Sequence, residues 1–172
     1  MSITYVKGDL FKHVQDNDCI IHVCNNIDRF GSGFAAAMTA FAPIVKEAYH
    51  EWFKEPGDCC LENINVTTGS PTLGNIQIVN YFYYIGDDTG KTIKVVNMIA
   101  QDGVIGKNNP HPLHYNALAI CLEHVLNRIP KYMRIIAPKF GSGLAGGDWQ
   151  KISEMVGTIF GEKDRDITIF EI

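Results

Sequence analysis

The chain has 172 residues, a length that fits one domain with its own hydrophobic core, and we expect a single domain over residues 1–172. Apolar residues make up 46% and charged residues 20%, as in ordinary soluble globular proteins, and no apolar run is long enough to span a membrane. The formal net charge of −4 argues against an extended nucleic-acid-binding face.

The N-terminus and the cysteines bear on the cellular compartment. Residues 1–6 lack the basic segment and hydrophobic core of a secretory signal. The five cysteines are an odd number without metal-like C-x-x-C spacing, and the adjacent Cys59 and Cys60 are poorly placed to pair with each other. We therefore expect reduced thiols and a cytoplasmic protein, and we expect it to be a monomer.

The first half of the chain alternates strands and helices. The apolar character of residues 19–24 predicts a strand buried on both faces. The predicted elements are strands over 3–7 and 19–24, a helix from Phe34 to about Phe41, and a helix that Pro43 starts and Gly57 ends. The last of these has a predicted apolar stripe of Ile44, Val45, Ala48, Tyr49 and Trp52.

The second half continues the alternation after an irregular stretch, 58–75. The predicted elements are strands over 76–84 and 92–100, a helix over 114–128, a strand over 134–137, a helix after Asp148 and a strand over 167–170. The first two strands flank a turn at 86–90 and read as a hairpin. The pattern predicts an α/β fold with a mixed sheet of about six strands and helices on both faces, in which ligands bind beyond the carboxyl ends of strands.

A glycine-rich loop lies between the strand 134–137 and the last helix. Residues 141–147 contain four glycines, which allow positive φ and let a ligand approach the backbone closely. Strand, glycine loop and helix N-terminus together form an anion site, because N–H groups converge there and the helix dipole adds positive charge. The sequence therefore predicts a bound phosphate or diphosphate over 141–147, and the alternative is a glycine-rich turn without a ligand.

Three loops, each after a predicted strand, resemble those of the macrodomain family over the whole chain. Gly8-Asp9-Leu10 resembles the family's Gly-Asp-Ile/Leu. His22-Val23-Cys24-Asn25, followed by Gly31-Ser32-Gly33-Phe34-Ala35, resembles its Asn-Ala-Ala-Asn and Gly-Gly-Gly-Val-Ala loop. Ser142-Gly143-Leu144-Ala145-Gly146 resembles its Ser-Gly-Ile-Phe-Gly loop. The resemblance implies a macrodomain-like sheet and a small-molecule ligand, ADP-ribose.

The resemblance also implies a place for each part of that ligand. Asp9 and Leu10 would border the adenine, with Asp9 accepting from its amino group. Asn25 would hold the terminal ribose, with His22 nearby. The diphosphate would be bound by the backbone N–H groups of Gly31, Ser32, Gly33, Phe34, Gly141, Ser142, Gly143, Leu144, Ala145 and Gly146.

The chain departs from the family pattern at several places. His22 replaces the first asparagine, Ser32 the middle glycine, and Ala145 the aromatic residue that borders the terminal ribose, which leaves that end roomier. The chain is similar to the branch with ADP-ribose 1″-phosphate phosphatases and terminal ADP-ribose protein glycohydrolases. The glycohydrolases use a lysine near the first glycine loop and an aspartate after Gly-Leu. In this chain Arg29 or a small residue occupies the position of the lysine, and Ala145 occupies that of the aspartate. These replacements disfavour a covalent lysine mechanism.

These features predict a phosphatase that hydrolyses ADP-ribose 1″-phosphate to ADP-ribose and phosphate. The alternatives are an ADP-ribosyl hydrolase that removes ADP-ribose from protein or nucleic acid, and a non-catalytic ADP-ribose reader. The histidine at 22 and the roomier pocket favour catalysis. No group of carboxylates fit to hold magnesium stands out in the sequence, so we expect neither a metal nor a cofactor.

Each candidate catalytic residue has a structural alternative. His22 would donate a proton or position water, or it is a hydrogen-bonded core histidine. Asp148 would activate water, or it caps the following helix. Asn25 would fix the ribose, or it braces its own loop. Cys24 is interpreted as a buried spectator thiol. Gln101 would border the ribose, or its side-chain amide makes hydrogen bonds within its own loop.

Overall fold

A computed structural model describes residues 3–55, 65–86 and 89–172, which form seven strands and four helices. The strands are β1 (Ile3–Lys7), β2 (Asp18–Asn25), β3 (Asn65–Thr67), β4 (Ile76–Ile85), β5 (Thr89–Gln101), β6 (Arg134–Ala137) and β7 (Ile167–Glu171). The helices are α1 (Gly33–Phe41), α2 (Pro43–Lys54), α3 (Tyr115–Arg128) and α4 (Trp149–Glu162). A short 3-10 turn covers Leu10–Lys12.

The strands form one mixed sheet in the order β1-β7-β6-β2-β5-β4-β3. The pairs from β1 to β5 in this order are parallel, whereas β5–β4 and β4–β3 are antiparallel. The carboxyl ends of β6, β2 and β5 therefore meet at one edge of the sheet. A binding site at that edge agrees with the general rule for sheets of this kind.

The sheet is covered on both faces, as its sequence predicts. One core cluster includes Leu118, Leu122 and Val156 of α3 and α4. The other includes Met38 and Trp52 of α1 and α2. The strand β2 lies between the two clusters, and seven of its eight residues are buried. This double burial explains why β2 reads as a nearly continuous apolar run.

The expected fold class is confirmed, with two local differences. The sheet has seven strands rather than about six, because three residues of the stretch predicted as irregular, β3, pair antiparallel with β4. Ile44, predicted to lie on the apolar stripe of α2, is 39% exposed. The predicted hairpin is confirmed by the antiparallel pairing of β4 with β5. Gly57, Cys59 and Cys60 lie outside the described residues.

Within the described residues, none of the helices has the length and apolar character that crossing a bilayer would require.

Candidate functional site

A cavity of about 900 Å³ lies at the carboxyl ends of β6, β2 and β5. Both glycine loops contribute to its wall, together with the loop after β5 and one face of α2. The lining residues are 22–25, 28–35, 46, 50, 101, 104, 105, 138–141 and 143–145. The volume lies in the range typical of small-molecule sites.

The loop after β6 has unpaired backbone N–H groups, and most of the residues that carry them line this cavity. Within the described part of the chain, the N–H groups of residues 141–145 have no acceptor. Gly146 and Gly147 differ, because their N–H groups donate to the carbonyls of Gly143 and Gly141 at 3.0 and 2.8 Å. The free N–H donors of the loop therefore belong to residues 141–145, a shorter stretch than the 141–147 over which the sequence predicts a bound anion.

The loop after β2 supplies a second set of N–H donors. α1 begins at Gly33, and its N-cap residue, Ser32, makes no side-chain hydrogen bond to the helix. The first N–H groups of a helix have no partner inside the helix, so this end of α1 offers free donors and a positive dipole end. The two loops meet closely, since a Cβ on Gly33 would lie 3.0 Å from Cδ1 of Leu144.

The side chain of Asn25 is occupied within its own loop. Its Oδ1 accepts from the N–H groups of Ile27 and Arg29 at 3.1 and 3.2 Å and from the hydroxyl of Tyr49 at 2.9 Å. Its Nδ2 donates to the carbonyl of Arg29 at 2.7 Å. These contacts brace residues 25–29, and one Nδ2 proton remains for a ligand.

His22 lines the cavity but is only 2% exposed. Its Nε2 lies 2.5 Å from Oδ1 of Asn97, whose Nδ2 donates to Gln77, and Gln77 in turn donates to the carbonyl of Ala48. Burial lowers the pKa of His22 from 6.5 to about 4, although the contact with Asn97 acts in the opposite direction. The ring is therefore neutral at physiological pH and is not an imidazolium acid.

The thiol of Cys24 lies beside this ring, 3.9 Å from Nδ1 and 3.7 Å from Nε2 of His22. Burial raises the pKa of Cys24 well above its usual value, so the residue is a thiol and not a thiolate. Gln101 also lines the cavity, and its Nε2 donates to the carbonyl of Gly103 at 3.1 Å. This side chain thus satisfies its own loop.

Five residues expected at the site lie outside the cavity lining. Asp148 caps α4, where its Oδ1 accepts from the N–H of Gln150 at 3.0 Å. Asp9 accepts from the N–H of Phe11 at 3.0 Å and caps the 3-10 turn, and Leu10 is buried in the core. The remaining two are Ser142, whose hydroxyl donates to Lys139, and Gly146.

Several lining residues were not expected from the sequence, and five of them lie apart from the glycine-rich motifs. Val104 and Ile105 belong to the loop after β5, and Asp28 to the loop after β2, while Lys46 and His50 lie one turn apart on α2. No motif marks these residues: Lys46 and His50 reach the cavity because α2 packs against the loop after β2, and the other three stand in irregular loops. A spacing of four residues between two polar side chains is common on exposed helix faces and does not by itself indicate a site.

Comparisons with known proteins agree with this architecture. No protein-family model and no curated protein matches the chain. A solved structure described as a protein of unknown function from Bacteroides thetaiotaomicron is 27% identical, with a TM-score of 0.74, over 100% of this chain and 99% of that one. A macrodomain protein from Streptomyces coelicolor is 25% identical, with a TM-score of 0.66, over 99% of both chains.

A more distant structure shares the fold alone. DarTG of Thermosipho africanus, solved in complex with ADP-ribose, is 13% identical with a TM-score of 0.66, over 97% of this chain and 41% of that chain.

Proposed function

Because the chain belongs to the macrodomain family, we propose that it binds ADP-ribose and hydrolyses ADP-ribose 1″-phosphate to ADP-ribose and phosphate. The observation that carries this proposal is the presence of two sets of free N–H donors at one cavity, in the loop 141–145 and at the N-terminus of α1. Such donors bind phosphate oxygens. The complex of a distant structural neighbour with ADP-ribose supports the same ligand class.

In the proposed complex the diphosphate lies between residues 31–34 and 141–145. The terminal ribose lies near Asn25, which has one free Nδ2 proton, and near Nδ1 of His22. Adenine lies toward Asp9, beyond the cavity lining. The neutral His22 then accepts a hydrogen bond from a ribose hydroxyl or a water, and this replaces the acid role expected from the sequence. For Asp148 we propose the capping role alone.

The proposed chemistry is attack of water on phosphorus. The two sets of N–H groups are held by the loop backbone before any ligand arrives, and such fixed dipoles stabilise charge that grows in the transition state. The first alternative is hydrolysis of an ADP-ribosyl bond on a macromolecule. The second is binding of ADP-ribose without turnover.

Calorimetry with ADP-ribose and phosphate release from ADP-ribose 1″-phosphate, on one purified sample, test the proposal. Binding with enzymatic turnover supports both parts of it. Binding without release contradicts the phosphatase assignment and favours ADP-ribosylated macromolecules as substrates or a reader. Absence of binding contradicts both parts.

A variant ties the result to this cavity. Gly143 lines the cavity, and a Cβ there would meet no protein atom within 4 Å, so we expect Gly143→Val to fold and to crowd this wall of the cavity. We expect it to weaken ADP-ribose binding by about 10-fold or more, since it blocks approach to the N–H groups. Tyr132→Phe, at a residue that is 73% exposed and outside this cavity, serves as the control.

A further inference from the structure

A histidine and a carboxylate form a pair in the cavity wall, apart from the glycine loops. Nδ1 of His50 on α2 contacts Oδ1 of Asp28 in the loop after β2, and both residues line the cavity. Because a carboxylate only accepts, Nδ1 carries the proton and donates it. Nε2, the other ring nitrogen, has no hydrogen-bond partner within the described part of the chain. A carboxylate that orients an imidazole in this way leaves the other nitrogen available for proton transfer.

Exposure distinguishes this imidazole from that of His22. The side chains of His50 and Asp28 are 32% and 40% exposed, so water and ligand reach them. His22 is 2% exposed, and its Nε2 is taken by Asn97. Of the two histidines that line the cavity, His50 is therefore the one whose imidazole is substantially exposed to solvent.

The pair is held in place from both sides. Asp28 has a φ of 61°, a left-handed conformation that is uncommon outside glycine. Asn25 fixes this loop through four hydrogen bonds, one of them from the hydroxyl of Tyr49. Tyr49 is the neighbour of His50 on α2, so the contact that braces the loop also fixes the helix that carries the imidazole. Strained backbone held by its surroundings is a recurrent feature of functional sites.

A cation lies beside the pair. Lys46 is one helical turn before His50, and both line the cavity. Side chains four residues apart on a helix are neighbours. Lys46 has no ion pair within the described residues, whereas Lys139, also in the cavity wall, is paired with Glu171 at 2.8 Å. An unpaired ammonium group in a cavity wall binds anions such as phosphate.

We propose that His50, oriented by Asp28, is the proton-transfer residue of this cavity and that Lys46 binds the terminal phosphoryl group beside it. This assignment rests on the proposed phosphatase function. Water adds its oxygen to phosphorus and gives a proton to Nε2 of His50. The bond from phosphorus to the ribose 1″-oxygen breaks with its electron pair on that oxygen, which takes a proton from solvent. The imidazolium then returns its proton to solvent.

Kinetics of the full-length chain test the assignment, with His50→Ala compared with His124→Ala at a histidine outside the cavity. We expect His50→Ala to lower kcat by about 100-fold or more, the usual contribution of a general base. KM and the affinity for ADP-ribose should stay within about twofold, because the lost interaction belongs to the transition state. Added imidazole should restore part of kcat in His50→Ala and none in His124→Ala.

Two further variants separate the roles. Asp28→Ala leaves the imidazole in place but removes its orienting carboxylate, and we expect a lower kcat without rescue by imidazole. Lys46→Met should raise KM for ADP-ribose 1″-phosphate by about 10-fold, as loss of one charge-assisted hydrogen bond does. It should leave the affinity for ADP-ribose unchanged, since that product lacks the terminal phosphate.

Wild-type kcat in His50→Ala would overturn the assignment and leave the pair as a link between helix and loop. The assignment would also be overturned if His50→Ala lost ADP-ribose affinity and kcat equally and imidazole restored neither. That result would indicate that His50 is needed for folding. Both results leave the proposed function standing, because the wild-type protein still turns over the phosphate ester. Absence of turnover in the wild-type protein would refute the proposed reaction, and the assignment with it.

Discussion

Asn97 fixes the tautomer of His22. Nδ2 of Asn97 donates to Gln77 at 3.0 Å, and Nε2 of Gln77 donates to the carbonyl of Ala48 at 2.8 Å. Because Nδ2 of Asn97 is used by Gln77, the atom of Asn97 that contacts the imidazole of His22 is Oδ1. Nε2 of His22 must therefore carry a proton and donate it to Oδ1. Nδ1 is then a bare acceptor. A buried chain of amides, anchored on α2, thus decides which nitrogen of His22 a ligand meets.

The burial of this ring predicts how stability depends on pH. The pKa of His22 is about 4 in the folded chain and 6.5 for an ordinary histidine, so the unfolded state binds a proton more readily between these values. The contribution of neutral His22 to the free energy of unfolding is fully present above pH 6.5 and is lost as the pH falls through about 4. The difference corresponds to about 3 kcal/mol at 1.36 kcal/mol per pKa unit.

Urea unfolding at pH 7 and pH 4 measures this loss of stability in the wild-type chain and in the variant His22→Gln. The Gln amide can still donate to Asn97 but does not titrate. We expect the wild-type chain to lose about 3 kcal/mol more than the variant between the two pH values. Equal losses would show that His22 titrates normally in the folded state.

Two glycines of the loop after β6 should respond differently to a methyl group. At Gly146 φ is +71°, and a Cβ would lie 2.6 Å from the carbonyl oxygen of Pro110. Gly146→Ala should therefore lower the free energy of unfolding by about 2 kcal/mol or more. Gly143→Ala adds a methyl group with no atom within 4 Å and should stay within about 0.5 kcal/mol of wild type. Chemical denaturation of the two variants measures both values, and similar values for the two would contradict the loop geometry.

Asp148 should matter for stability and not for turnover. Its carboxylate caps α4 through the N–H of Gln150, and it does not line the cavity. Asp148→Ala should lower stability by about 1 kcal/mol, whereas Asp148→Ser, which can also cap, should change it by a few tenths. Melting temperatures and kcat are measured together for both variants. A large loss of kcat in the serine variant would restore the catalytic interpretation.

Asn25 should be among the most sensitive polar residues of the chain. Asn25→Ala removes four hydrogen bonds that brace its loop, and we expect a loss of about 3 kcal/mol. Tyr49→Phe removes the hydroxyl that contacts Asn25 and should cost about 1 kcal/mol. Urea unfolding of both variants gives the comparison. A loss in Asn25→Ala no larger than in Tyr49→Phe would show that the loop is braced by other contacts.

The sheet and its helices were predictable because their residues repeat regularly. The apolar run of β2 is buried, and in α3 the apolar residues at helical spacing, Leu118, Cys121, Leu122 and Val125, are buried as well. β3 was missed because three residues with a mixed pattern give no periodic signal, and only pairing with β4 makes them a strand.

The parts of the candidate site that consist of backbone groups could be predicted from the sequence. Glycines after β2 and β6 are visible in the sequence, because close approach and positive φ require them. Lys46 and His50 were not predictable, since helix packing brings them to the cavity. For Asp148 the sequence allowed both a catalyst and a cap, and the contact with Gln150, which supports the cap, depends on the three-dimensional structure.

The pairing of β1 with β7 has a consequence for synthesis. Ile3 lies opposite Ile167 in a parallel register, so β1 can pair with this neighbour only after β7 has left the ribosome. Contacts between segments so far apart in the chain form slowly, because a long loop must close first. During translation β1 therefore remains an unpaired edge, exposed to chaperones or to neighbouring chains, until β7 has been made.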